Sequence, residues 1–188
     1  VSVFTCAIAS AQIETSIAIW GDPNYPLCEI TDAPGERTVY VVHDYNTGTT
    51  AARFKIEPGP GNTMTYVSEV HYFSSTAGNV QDGISVCYGA CTLDTPVIAS
   101  ITYMAYGTSS SCSRLLVVPH PSAETVEAIK CNGVATRAYG ADLTLHRPGD
   151  ACGCPVTHGF QGTAGVFACT PVAVENTTWG AVKALYRR

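Results

Sequence analysis

The chain has 188 residues, of which 46% are hydrophobic and only 13% charged, about half the usual charged share. Lysine occurs only at Lys55, Lys130 and Lys183, and Gly and Pro together supply 28 residues, 17 plus 11. This excludes a coiled coil, a charge-rich helical bundle and a disordered charged tail, and a net charge of −5 leaves no electrostatic footprint for nucleic acid.

Residues 1–11, VSVFTCAIASA, are uncharged and mostly apolar and end in Ala9-Ser10-Ala11. An apolar run closing on a small-x-small triplet reads as the second half of a secretory leader, with Gln12 as the mature start. The competing reading makes the segment an assembly strand that adds to a neighbouring subunit, through Val1, Val3, Phe4 and Ile8. The run is too short to span a bilayer, and no membrane span is expected elsewhere.

From residue 12 onward the chain reads as short strands separated by Gly, Pro, Asn, Asp and Ser clusters. Strands are expected at 13–20, 38–45, 53–57, 64–73, 84–88, 97–106, 114–118, around Leu143 and Leu145, and at 167–174. Residues 53–57 (RFKIE) alternate cleanly, with Phe54 and Ile56 on one face and three charges on the other, as in a half-buried strand. Asn46-Thr47-Gly48-Thr49 is a turn, so the strands on either side of it are expected to form a hairpin. Residues 123–129 (AETVEAI) fit a short helix or a strand leading into Cys131. The spacing of strands and turns predicts an all-β, Ig-like antiparallel β-sandwich over 12–175, with a closed barrel as the alternative. At 176–188, Trp179, Val182, Leu185 and Tyr186 fall on one helical face behind an Asn or Thr cap, which predicts a short amphipathic helix.

Nine cysteines punctuate the chain. Removing 1–11 removes Cys6 and leaves Cys28, Cys87, Cys91, Cys112, Cys131, Cys152, Cys154 and Cys169, an even set that implies disulfides in an exported protein. Eight cysteines allow roughly a hundred connectivities. Cys112–Cys131 and Cys87–Cys91 are the expected short-loop pairs.

The densest chemical cluster is His146, Cys152, Cys154 and His158, which offers ligand types suited to zinc or copper. Its spacing matches no common finger, and oxidised cysteines are lost as ligands, so a disulfide loop without metal is the stronger expectation. No Gly-x-Ser-x-Gly elbow is present. Ser109-Ser110-Ser111 reads as a flexible turn. His43, His71, His120, His146 and His158 carry no catalytic signature and read as surface or semi-buried residues. Asp22, Glu29, Asp32, Glu36 and Asp44 read as ordinary loop solvation. No catalytic residue and no cofactor is expected. Tyr40, Tyr45, Tyr66, Tyr72, Tyr88, Tyr103 and Tyr106 lie on expected strands, where they fill the core or form a sticky or sugar-stacking surface. Asn176-Thr177-Thr178 is a glycosylation sequon.

Three pieces carry a resemblance: Ala9-Ser10-Ala11 followed by Ile17-Ala18-Ile19-Trp20-Gly21-Asp22-Pro23 and Cys28; the Cys112-to-Cys131 segment with Leu115-Leu116-Val117-Val118-Pro119-His120-Pro121; and the ending Thr178-Trp179-Gly180 through Lys183-Ala184-Leu185-Tyr186-Arg187. Together they resemble a group of secreted bacterial cysteine-containing β-sandwich proteins with no established activity. The resemblance implies export and a sandwich, and carries over no functional residue. Export, low charge, bridges and the lack of a catalytic signature lead to the expectation of a non-enzymatic extracellular structural or adhesive protein, such as a self-assembling filament subunit, whose partner is a second copy, another cell-surface protein or a glycan. The alternative is a carbohydrate- or ligand-binding module with two or three solvent-facing aromatics lined up on one sheet or loop end. A secreted hydrolase is the least supported reading.

Overall fold

The structure, a computed structural model, describes residues 15–150 apart from Tyr45 and Pro148, together with Cys152. Among these, every regular element is a strand: β1 (Ser16–Trp20), β2 (Glu29–Thr31), β3 (Gly35–Asp44), β4 (Thr49–Pro58), β5 (Thr65–His71), β6 (Ser75–Asn79), β7 (Gly83–Thr92), β8 (Val97–Ala105), β9 (Ser113–Val118), β10 (Glu127–Lys130), β11 (Ala135–Arg137), β12 (Tyr139–Ala141) and β13 (Leu143–His146).

They form two sheets packed as an Ig-like sandwich. One has the order β12-β1-β3-β8-β5. The other runs β11-β10-β4-β9-β13-β2, with β7 also paired to β4 and β6 to β7. Pairing is antiparallel except where β1 meets β12 and β2 meets β13.

Period-two alternation builds the core. On β8, Ala99, Ile101, Tyr103 and Ala105 are buried while Ser100, Thr102 and Met104 face away. On β4, Ala52, Phe54 and Ile56 point inward, and Arg53, Lys55 and Glu57 outward. Ile17, Ile19, Val39, Val41, Leu115, Val117, Leu143 and Leu145 complete the layer between the sheets. Burying each such side chain contributes about 1.5–3 kcal/mol.

The hairpin expected across residues 46–49 does not form. β3 uses both edges on β1 and β8, and β4 pairs with β7, β9 and β10, so the turn carries the chain from one sheet to the other. Both strands bury an apolar face, and crossing the sandwich brings those faces together where a hairpin would leave them side by side. Residues 127–130 are strand β10, which settles the ambiguity there. Gly140 lets β12 pass close over β9, because a Cβ at that position would lie 2.4 Å from the Val117 carbonyl oxygen.

The cysteine pairing also departs from expectation. The bridges are Cys91–Cys131 and Cys112–Cys152, with Cα separations of 5.3 and 5.5 Å. Cys28 is disulfide-bonded as well, whereas Cys87 is an exposed free thiol. Cys87 and Cys91 both belong to β7, and in a regular strand residues four apart lie about 13 Å from each other, beyond disulfide reach. Cys131 instead hydrogen-bonds through its N–H to the Gly48 carbonyl, next to Cys91. Among the described cysteines the free thiol is Cys87, on a strand, and Cys6 lies outside the described residues.

Candidate binding face

The face of the five-stranded sheet that points away from the core differs from an ordinary solvated sheet surface. Because Ile17 and Ile19 face inward, Trp20 faces out. Tyr40 faces out between Val39 and Val41, and Ser100 between Ala99 and Ile101. The register sets these residues in a row: Trp20 opposite Tyr40, Tyr40 opposite Ser100, and Ser100 opposite Val70. Tyr72, just past the end of β5, leans back over the sheet and donates its hydroxyl to Ser100 Oγ at 3.2 Å. Partial burial, reinforced by neighbouring Tyr72 and Asp22, raises the Tyr40 phenol above its usual range.

β5 is the edge strand of this sheet. Val67, Val70 and Tyr72 are 48%, 57% and 42% exposed there. Val67 occupies the bulge between Tyr66 and Ser68. Toward β12 the same face closes, with Ala18 and Val42 buried, so its open part lies over β3, β8 and β5, with half-buried Trp20 at its border on β1. The strand residues on this face include two acids, Glu36 and Asp44, near opposite ends of β3, and no lysine or arginine.

Behind the sheet lies a buried polar chain. His43 has no exposed surface. Its Nε2 meets the Thr15 hydroxyl, and its Nδ1 lies 2.7 Å from the Tyr88 hydroxyl. Tyr88 packs edge-on to the imidazole and tilted against Phe73. Burial drives the imidazole pKa down to about 4, so His43 is neutral at ordinary pH, one ring nitrogen donating and the other accepting. The same burial raises the Tyr88 phenol. His43 therefore corrects the surface-or-semi-buried reading of the histidines. Sealed as it is, it cannot touch a substrate, and it ties β3 to β7 and to the segment leading into β1.

Asp32 corrects the loop-solvation reading. It is 2% exposed, and its Oδ2 accepts the Ser109 N–H at 2.8 Å. Ser109, expected in a flexible turn, is buried, and its hydroxyl accepts the Thr63 N–H at 3.1 Å. Asp142 is buried likewise, with Oδ1 accepting the Val117 N–H at 3.1 Å. Glu69 accepts the Val80 N–H and pairs with His71 Nε2 at 2.6 Å. Each carboxylate pins one segment to another, and sequence alone offers no signal for any of them beyond an acid near a turn.

The His-Cys cluster does not assemble a metal centre in the described part. Cys152 is consumed in a disulfide, and His146 sits on β13 with Nδ1 near the Arg147 carbonyl at 3.2 Å. Among the described residues no group of three metal-ligating side chains converges, and no helix is long and apolar enough to cross a membrane. Cys154, Cys169 and His158 lie outside the described residues. So do the interaction candidates Val1, Val3, Phe4, Ile8, Trp179, Val182, Leu185 and Tyr186, and the expected strand at 167–174.

No protein-family model and no curated protein matches the chain. Among solved structures, the sixth cohesin of scaffoldin B from Acetivibrio cellulolyticus is similar at 12% identity and TM-score 0.49, over 71% of this chain and 98% of that one. A cohesin module of a family 33 glycoside hydrolase from Clostridium perfringens reaches 8% identity and TM-score 0.49, over 72% and 99%. A non-cellulosomal cohesin from Archaeoglobus fulgidus reaches 8% and 0.47, over 72% and 94%. All three scores lie below 0.5, and the sandwich assignment rests on the strand pairing itself.

Proposed function

We propose that this chain is a non-catalytic extracellular adhesive module that works through the open outer face of its five-stranded sheet. The observation that carries the reading is the apolar edge: Val67, Val70 and Tyr72 stand exposed on and beside β5, where soluble sheets ordinarily place charge or cover. Disulfides that brace the loops support an oxidising, extracellular setting.

The test uses beads coated with the oxidised full chain, scored for clustering and for retention on protein-coated and glycan-coated surfaces. Val70→Lys with Tyr72→Lys is expected to abolish adhesion while leaving the urea midpoint near wild type. Undiminished adhesion in that variant overturns the reading.

In its finer form the proposal makes the module a filament subunit that self-associates through residues 1–11 or the helix expected at 176–188. Deleting each segment and imaging by electron microscopy tests this. Assembly that survives both deletions removes the filament role.

A further inference from the structure

We propose that the row formed by Trp20, Tyr40, Ser100 and Val70, with Tyr72 leaning over it, is a platform for a neutral glycan chain. The inference rests on the adhesive reading above and names the ligand of that same face.

The geometry comes first. The four residues stand on four successive strands, β1, β3, β8 and β5, at one level of the sheet. Neighbouring strands are about 4.8 Å apart, so the row spans about 14 Å, the reach of a short oligosaccharide. The row runs across the strands on the outward face of the sheet. That suits a ligand that lies flat more than a protein anchor, which needs a pocket to fill.

The chemistry of the row is mixed in the way a sugar is mixed. A pyranose ring has an apolar C–H face and a rim of hydroxyls. Trp20 and Tyr40 supply ring surface for the face, with polar atoms at their tips. Ser100 Oγ and the Tyr40 and Tyr72 hydroxyls supply donors and acceptors for the rim. The hydroxyl of Tyr72 already donates to Ser100 Oγ, which orients both groups before any ligand arrives.

Charge selects among sugars. The strand residues on this face include no lysine or arginine to meet a phosphate, sulfate or uronate, and its acids, Glu36 and Asp44, repel them. A neutral polysaccharide meets no such penalty. The chain's overall charge of −5 acts in the same direction.

The test is affinity electrophoresis of the oxidised full chain in native gels containing hydroxyethylcellulose, arabinoxylan or galactomannan, with heparin as the polyanion. Retardation is expected in at least one neutral gel and not in heparin. Trp20→Ala and Tyr40→Ala are each expected to weaken binding about tenfold, the scale of one lost aromatic contact with its buried area. Tyr40→Phe keeps the ring and is expected to retain most of the binding, and unchanged urea midpoints show that the variants fold. The proposal is overturned by no retardation in any neutral gel, by retardation in heparin alone, or by binding that both alanine variants leave intact. The bead assay separates the two readings. If Val70→Lys with Tyr72→Lys abolishes bead adhesion while no neutral gel retards the protein, the adhesive module stands and the glycan falls. If the gels retard the protein through Trp20 and Tyr40 but bead adhesion ignores the lysine pair, the adhesive reading falls instead.

Discussion

Acidification offers the sharpest test of the packing, because a proton on His43 has to enter a sealed polar chain. His43 is sealed between the sheets, and burial lowers its pKa from 6.5 to about 4. Above pH 6.5 the ring is neutral in both the folded and the unfolded chain. As pH falls through 6.5 the unfolded chain takes up a proton that the folded protein refuses until pH nears 4. Stability is therefore complete above about pH 6.5 and is lost progressively down to about pH 4. A shift from 6.5 to about 4, at about 1.4 kcal/mol per pH unit, gives a loss of about 3 kcal/mol. That is a large part of the 5–15 kcal/mol or so that holds a typical domain together. Urea unfolding of the oxidised chain, followed by tryptophan fluorescence at pH 7.5 and pH 4.5, measures it. His43→Gln lacks the titrating ring, so the difference in pH sensitivity between wild type and variant isolates this residue from the other histidines. The wild type is expected to lose about 2–3 kcal/mol more than the variant over that interval. Equal losses in the two proteins would refute the argument.

Four further outcomes rest on the same packing. Tyr88→Phe removes the closest partner of His43 Nδ1 and leaves it only the Thr49 hydroxyl at 3.4 Å, so a cost of about 1 kcal/mol by urea denaturation is expected, the scale of one lost hydrogen bond. Replacing Cys91 and Cys131 together by serine opens a bridge spanning 40 residues and should lower stability by about 4 kcal/mol, while Cys87→Ser, at an exposed free thiol, should stay within about 0.5 kcal/mol of wild type. Gly140→Ala places a methyl against the Val117 carbonyl, and a drop in thermal midpoint with loss of hydrogen-exchange protection on β12 and β1 is expected.

Strand identity was legible wherever one face is buried and the other wet. Residues 53–57 and 114–118 alternate because each faces the core on one side only, and both lie within strands of the structure. Pairing was not legible. The turn at 46–49 has ordinary hairpin chemistry, yet the partners of β3 and β4 are chosen by apolar faces distant in sequence. Short edge strands such as β2, β11 and β12 have three residues each, too few to show a period. The cysteine spacing failed for a related reason. Loop length says which bridges are short, whereas strand geometry says which sulfurs meet. The aromatic row was half visible: the tyrosines stand out in the sequence, but their alignment needs the register of four strands.

The two parallel pairings determine when this sandwich can close. Among the described residues, β1 takes its outer neighbour from residues 139–141, and β2 takes its only strand partner from residues 144–146. β1 and β2 therefore wait for β12 and β13, which are made more than a hundred residues later. Until then β1 presents an open edge on one side and β2 has no ladder at all. Contacts so far apart in sequence are slow to form, and waiting edges invite foreign strands. A chain arranged in this way favours one late step that zips both sheets shut together.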